Sequence, residues 1–340
     1  MKALFYILIF FVIATAFWQI FKLLGLTKKD QVATEKENNI NGWLMLGLGA
    51  FIYGLMLYSM VQGRVVLLPQ QSASLEGEDI DKLFVITMGL IIFVQFITQF
   101  LIYYFTFKYR GVKGRKALFY ADSHKLEMWW TIAPTIVLSV LIIYGLWTWN
   151  NVQDLSQSEN PLIIEVYAKQ FQWEARYAGE DNELGVGHVN FIKGINTMGV
   201  DMTDKNSADD IPVRELHLPK GRKVIFKFRS QDVLHSAYMP HFRAQINCVP
   251  GMTTSFGFTP TVTTEEMRLD EDTKAKFDAI NELRLSNGNE ETVEFDYLLL
   301  CNKICGASHY NMQMKVVVQE EEDFNKWLKD QKTITEVINN

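Results

Sequence analysis

Four long apolar runs crowd the first 150 residues of this 340-residue chain, and after Trp149 none approaches the roughly 18 residues a membrane span needs. The runs are Ala3 to Leu26, Trp43 to Val61, Leu83 to Phe107 and Leu126 to Trp149. In lipid every backbone polar group must be satisfied internally, so such runs have to be helices. Ala14-Thr15-Ala16 resembles a signal-cleavage site. The apolar run continues past it through Phe17, Trp18, Ile20 and Phe21, which favours a retained helix.

The loops set the orientation. Lys108, Arg110, Lys113, Arg115 and Lys116 lie between the third and fourth runs and mark an inside loop. Glu76, Glu78, Asp79 and Asp81 lie between the second and third, as suits the outer side. Lys22, Lys28 and Lys29 place the first connection inside, diluted by Asp30 and Glu35. Four spans then leave both termini and everything beyond residue 150 outside the cytoplasm. Charge divides at the same point: 13 Lys or Arg stand against 9 Asp or Glu up to residue 150, and 20 against 30 beyond it. An acidic outer domain attracts basic partners and repels nucleic acid.

Residues 150–161 read as a polar linker. Short β-branched or alternating runs follow at Leu162 to Tyr167, Val213 to Leu218, Lys223 to Phe228, Val293 to Leu300 and Met314 to Val318. Their spacing, broken by turns such as Pro219-Lys220-Gly221, predicts an antiparallel sandwich or barrel. Two stretches fit poorly. Residues 179–210 are rich in Gly, Asn and Asp; residues 265–289 carry Phe277, Ile280 and Leu283 at helical spacing and read as an inserted surface helix.

The chemistry is concentrated in Cys301-Asn-Lys-Ile-Cys305-Gly-Ala-Ser-His309-Tyr-Asn-Met312. Two thiols, an imidazole and a thioether in one loop form a soft donor set, which selects copper over magnesium, calcium or manganese. One thiolate with a weak axial Met would suit a blue-copper site, whereas a second Cys four residues away suggests two thiolates bridging two metal ions. The alternative is a disulfide between Cys301 and Cys305, which the following His and Met disfavour. Three cysteines are too few for a disulfide scaffold, and no Cys-x-x-Cys-His occurs to attach haem. The third, Cys248, reads as a small buried apolar residue. Another imidazole is required. Of His188, His217, His235 and His241, only His235 has a distinctive setting, in Ser230-Gln-Asp-Val-Leu-His235-Ser236 directly after a predicted strand and before Pro250-Gly251-Met252.

These segments resemble subunit II of the haem-copper cytochrome c oxidases. The likeness runs from about Ser123 to Val318 and rests on Asp-Val-Leu-His-Ser, Cys-x3-Cys-Gly-x2-His-x2-Met, Leu126-Glu-Met-Trp-Trp-Thr131 with Pro134, and Leu218-Pro-Lys-Gly-Arg222. The resemblance implies a membrane α-helical anchor joined to an all-β, cupredoxin-like Greek-key barrel. Residues 1–62 would be an extra N-terminal hairpin, 83–149 the family hairpin, 162–330 the barrel domain and 331–340 a tail. It implies a binuclear CuA centre in which Cys301 and Cys305 bridge two coppers. His235 and His309 would bind one copper each, with Met312 and the Lys303 carbonyl as weaker ligands. It also implies electron entry near Phe171 and Trp173 and a proton-uptake entrance at Glu127. The partners implied are a haem-bearing subunit I and a c-type cytochrome donor, in a bacterial-type cytoplasmic membrane with the copper domain on the periplasmic side.

Three positions depart from the family pattern. Lys303 stands where the family has Glu, and Asn247 where it has Asp, so no side-chain ligand to the family's magnesium is expected here. Phe171 replaces the family's entry Trp, which would fit an unusual donor such as a cytochrome fixed in a larger assembly. A quinol oxidase subunit would share the anchor and barrel but lack the copper ligands. A copper-delivery protein would need an open, exchangeable site.

Overall fold

The computed structural model describes residues 2–26, 33–62, 72–156 and 160–339. Lys28 and Lys29, and residues 157–159 of the expected linker, lie outside them. Four apolar helices come first: α1 (Lys2–Leu26), α2 (Glu35–Val61), α3 (Leu75–Lys108) and α4 (His124–Gln153). Among the described residues α2, α3 and α4 are long and apolar enough to cross a membrane, while the described apolar stretch of α1 is the shorter Ile9–Ile20. Thr34 starts α2 with a capping box: its side chain accepts from the Glu37 amide while Glu37 accepts from the Thr34 amide. Pro134 sits inside α4.

Residues 1–65 and 90–124 form one compact unit, residues 66–89 and 125–340 another. In the first, Tyr53 donates to the Phe96 carbonyl at 2.7 Å and stacks on its ring, while Arg110 donates to Asn39 at 2.6 Å.

The second unit holds ten strands in two five-stranded sheets. These are β1 (Leu162–Lys169), β2 (Gln172–Tyr177), β3 (Ile211–Val213), β4 (Leu216–Pro219), β5 (Val224–Ser230), β6 (His235–Met239), β7 (Ala244–Cys248), β8 (Thr254–Phe258), β9 (Tyr297–Cys301) and β10 (Gln313–Gln319). One sheet runs β3-β2-β1-β5-β8 and the other β4-β10-β9-β6-β7. Alternation decides which face is buried. Along β5, Val224, Phe226 and Phe228 point inward and Lys227 and Arg229 do not. Phe226, Phe242, Phe258 and Tyr297 form the aromatic centre of the core, with Phe242 and Phe258 rings 4.6 Å apart. Each fully buried ring contributes about 2 kcal/mol of transfer free energy.

Two registers bring the chemistry to one end. Ala168 pairs with Ser230 across parallel β1 and β5, so the β1–β2 turn lies beside the loop that leads to β6. Ala237 pairs with Cys301 across antiparallel β6 and β9, so the start of β6 faces the end of β9.

The surface helix expected over 265–289 is two helices, α5 (Thr264–Leu269) and α6 (Glu271–Ser286). Asp270 separates them because its carboxylate caps α6 by accepting from the Thr273 amide. The expected domain ends in α7 (Glu321–Lys329), and the expected tail of residues 331–340 carries α8 (Ile334–Asn339). Ile334 is buried with Tyr167, Met198 and Val200. Residues 179–210, which suited no strand pattern, are held by buried charge. Arg176 pairs with Glu165 at 2.6 Å and with Asp210, and donates to the Gly185 carbonyl at 2.6 Å. Burial works against the Glu165 carboxylate, but Arg176 and Arg229 hold it below the usual range. At Asp210 burial outweighs Arg176 and pushes the carboxyl up to about 7.

α3 begins by docking on the strands of its own unit. Glu76 accepts from Lys223 at 2.6 Å and from the Thr259 amide at 2.7 Å, and Asp81 takes Arg243 in a fork at 2.7 and 2.8 Å.

Candidate metal centre

The end of β9, the following loop and the first residue of β6 supply the donors. Cys301 Sγ lies 3.9 Å from Cys305 Sγ, far beyond a disulfide bond, and both are free thiols. His235 Nδ1 is 3.8 Å from Cys301 Sγ, and His309 Nδ1 is 3.6 Å from Cys305 Sγ. Met312 Sδ is 3.8 Å from Cys305 Sγ, and the Lys303 carbonyl is 3.2 Å from Cys301 Sγ. Donors bound at roughly 2.0–2.3 Å around a tetrahedral metal lie roughly 3.3–3.8 Å apart, so these separations suit thiolate and imidazole ligands. The donor set fits a soft metal without rearrangement of the fold.

The local structure shows why these residues converge. Cys301 is the last residue of β9, and its amide is bonded to the Met312 carbonyl as β10 is about to begin. The loop between them is therefore closed at its base. His309 opens a short 3-10 turn, and Gly306, at φ +147°, sits against the β1–β2 turn. A Cβ at Gly306 would come within 2.7 Å of the Phe171 ring, so only Gly allows this approach.

His235 is fully buried, and its orientation is imposed. Nε2 donates to Asp232 Oδ1 at 2.8 Å, which leaves Nδ1 as the free lone pair on the thiol side. Burial opposes charge on Asp232, yet bonds from the Gln170 amide, the His235 ring and the Val233 amide hold its carboxyl below the usual range. Burial together with the neighbouring Cys301 pushes the Cys305 thiol up to about 11. Metal-free Cys305 thus keeps its proton at neutral pH, and a metal must displace it.

The other candidates fall in distinct places. Trp173 is buried; its indole N–H donates to the Met312 carbonyl at 3.4 Å and its ring meets His235 edge-on at 6.2 Å. Phe171 is half-buried against Gly306. Lys303 is exposed. Ile304 and Tyr310 stand out from the metal loop at 86% and 87% exposure. Glu127 lies in the first turn of α4, at the opposite end of that helix from the linker. Cys248 is fully buried, paired in register with His235, and its thiol is pushed up to about 12 by burial. His217 stacks on Trp327, and His188 caps a 3-10 turn. Asp232, Gln170 and Gly306 were not singled out by sequence. Asp232 and Gly306 do lie inside the motifs that carry the resemblance, and Gln170 lies in none of them.

A helical membrane anchor joined to a two-sheet β-domain, with thiol, imidazole and thioether donors gathered in one place, defines a membrane-anchored protein with a candidate soft-metal centre. The sequence profile described as "Cytochrome C oxidase subunit II, transmembrane domain" matches residues 63–147. "Alternative cytochrome c oxidase subunit 2" of Bradyrhizobium diazoefficiens is 32% identical over 232 residues, covering 68% of this chain and 72% of that protein. "Cytochrome c oxidase subunit 2" of Thermostichus vulcanus is 24% identical over 295 residues, covering 79% of each. The crystal structure of the periplasmic domain of subunit II of cytochrome oxidase of Bradyrhizobium japonicum overlaps with a TM-score of 0.31 at 18% identity, over 51% of this chain and 94% of that one. The chain belongs to the cytochrome c oxidase subunit II family. It is accordingly a subunit of an oxidoreductase complex.

Proposed function

We propose that this chain is the electron-accepting subunit of a terminal oxidase, taking single electrons from a c-type cytochrome and passing them to haem in subunit I. The observation that carries this reading is the convergence of six soft or neutral donors from two separate segments at one end of a rigid sandwich. His235, Cys301, Cys305 and His309 would hold two copper ions, with Met312 and the Lys303 carbonyl as weaker ligands. Bound there, the metal pair would supply one-electron transfer with the charge shared between two coppers. The protein's contribution is to keep the ligands from moving between redox states, through the Asp232 bond to His235 and the closed base of the Cys301–Met312 loop.

Phe171, with Trp173 behind it, forms the aromatic route by which an electron reaches the ligands. The exposed Ile304 and Tyr310 give the metal loop an apolar outer surface suited to docking. Glu127 marks the entrance of a proton-uptake path on the inner side, where oxygen reduction to water by subunit I draws its protons. The domain faces the periplasm from a cytoplasmic membrane, and residues 1–62 add a hairpin that packs against further subunits. Lys303 and Asn247 provide no carboxylate for magnesium. The quinol-oxidase alternative requires loss of these ligands, all of which are present. The delivery-protein alternative requires an exchangeable site, whereas His235 is fully buried.

The test is electron paramagnetic resonance of the purified, copper-replete complex. A mixed-valence signal with hyperfine coupling to two equivalent coppers is expected. A single-copper signal or none would sink the proposal.

A further inference from the structure

The β1–β2 turn reaches both ligand-bearing segments without supplying a ligand. The Gln170 amide donates to Asp232 Oδ2 at 2.7 Å, and the other oxygen of that carboxylate holds His235. The Gln170 side-chain amide donates to the Cys305 carbonyl. Three residues on, Trp173 donates to the Met312 carbonyl. Against the same turn lies Gly306, where a Cβ would stand 2.9 Å from Gln170 Nε2 and 2.7 Å from two Phe171 ring carbons.

We propose that Gln170 is a positioning residue that clamps the two ligand-bearing segments together, its backbone fixing the His235 side and its side chain the Cys305 side. The two segments are far apart in sequence, and β6 and β9 share only the Ala237 and Tyr238 pairings. Beyond Cys301 one backbone bond joins β6 to the loop, from the Asn302 amide to the Ser236 carbonyl at 2.9 Å, and it stops short of Cys305. The bond from Gln170 to the Cys305 carbonyl supplies the missing restraint at the second thiol. A carbonyl accepts only from a donor, so the side chain must present an N–H or O–H there. Gln170 is itself exposed, so water competes for the same carbonyl and the bond adds little to global stability. Its effect is on how long the loop stays closed over its ligands. This inference rests on the copper reading above.

The test compares the intact oxidase purified with wild-type chain, Q170A and Q170E. Q170E keeps the size and shape of the side chain but replaces the donor with an acceptor. Copper loss is followed after reduction, with a copper(I) chelator present in excess, and the oxidised enzymes are examined by electron paramagnetic resonance. Both variants should release copper about threefold to tenfold faster than wild type, the span of one hydrogen bond's net strength. Both should also show altered hyperfine splitting, with thermal unfolding unchanged. A Q170E enzyme that keeps wild-type release and splitting would overturn the clamp, because packing alone would then explain the turn. Equal release from Q170A and wild type would overturn it as well. If the wild-type enzyme shows no two-copper signal, the copper reading fails instead, so the two failures are distinct.

Discussion

His241 shows how one side chain can set the acid limit of a domain. Its ring meets Phe295 and Tyr297 edge-on at 5.0 and 5.4 Å, and its buried Nδ1 has no hydrogen-bond partner among the described residues. Burial, with Arg243 and Lys276 nearby, pushes its pKa down to about 4. The unfolded chain binds a proton at this site near pH 6.5 and the folded one only near 4. Stability is therefore complete above about 6.5 and is lost progressively as pH falls toward 4. Allowing for partial exposure of the ring, the loss is about 2 kcal/mol. Substitution His241→Phe, which suits the surrounding aromatics, should remove this component. The detergent-solubilised chain should then show a smaller drop in unfolding temperature between pH 7.5 and 4.5 than wild type. An equal drop in both would assign the acid sensitivity elsewhere.

Among the elements, the segment 179–210 depends on charge rather than apolar contact. Arg176 is 1% exposed and links β2 to Glu165 on β1 and to Asp210 at the segment's end. Replacing Arg176 by Met would leave Asp210 buried without its cation, at a cost of about 3–5 kcal/mol. Proteolysis should then cut first within 179–210 while β5 and β10 stay protected; uniform cleavage would show that the cluster does not hold the segment. This dependence was invisible in the sequence, because Arg176 and Asp210 lie 34 residues apart and neither has a pattern of its own. The anchor helices and the sandwich were legible for the opposite reason: continuous apolar runs and short alternating strands carry their signal locally. The same holds at the candidate site. Cys301, Cys305, His309 and Met312 share one loop, and His235 stands in a recognisable segment. Gln170 and Cys305 are 135 residues apart, and it takes the registers of β1 against β5 and of β6 against β9 to bring them together. The break at Asp270 and the packing of α8 were missed because a cap and a single buried Ile334 leave little trace in periodicity.

At the scale of the whole molecule, Glu127 stands in the first turn of α4 and the chain leaves toward the β-domain from the other end, roughly 40 Å away at 1.5 Å per residue. On the proposed function, proton uptake at Glu127 and electron entry at the metal loop are separate steps. Glu127→Gln should lower steady-state oxygen consumption several-fold, while rapid-mixing measurements find reduction of the copper centre by the donor unchanged. Equal slowing of both would mean that Glu127 supports the fold or assembly instead.

The acidic first turn of α3 has a kinetic consequence. Glu76 and Asp81 lock the β-domain to the helix end through Lys223 and Arg243, two side chains almost fully buried. On the proposed function, a β-domain tied in this way to the start of α3 stays in place against that helix end while an electron arrives and leaves. Under that reading the travel in the relay belongs to the donor, and throughput would be governed by arrival and departure at a stationary terminal.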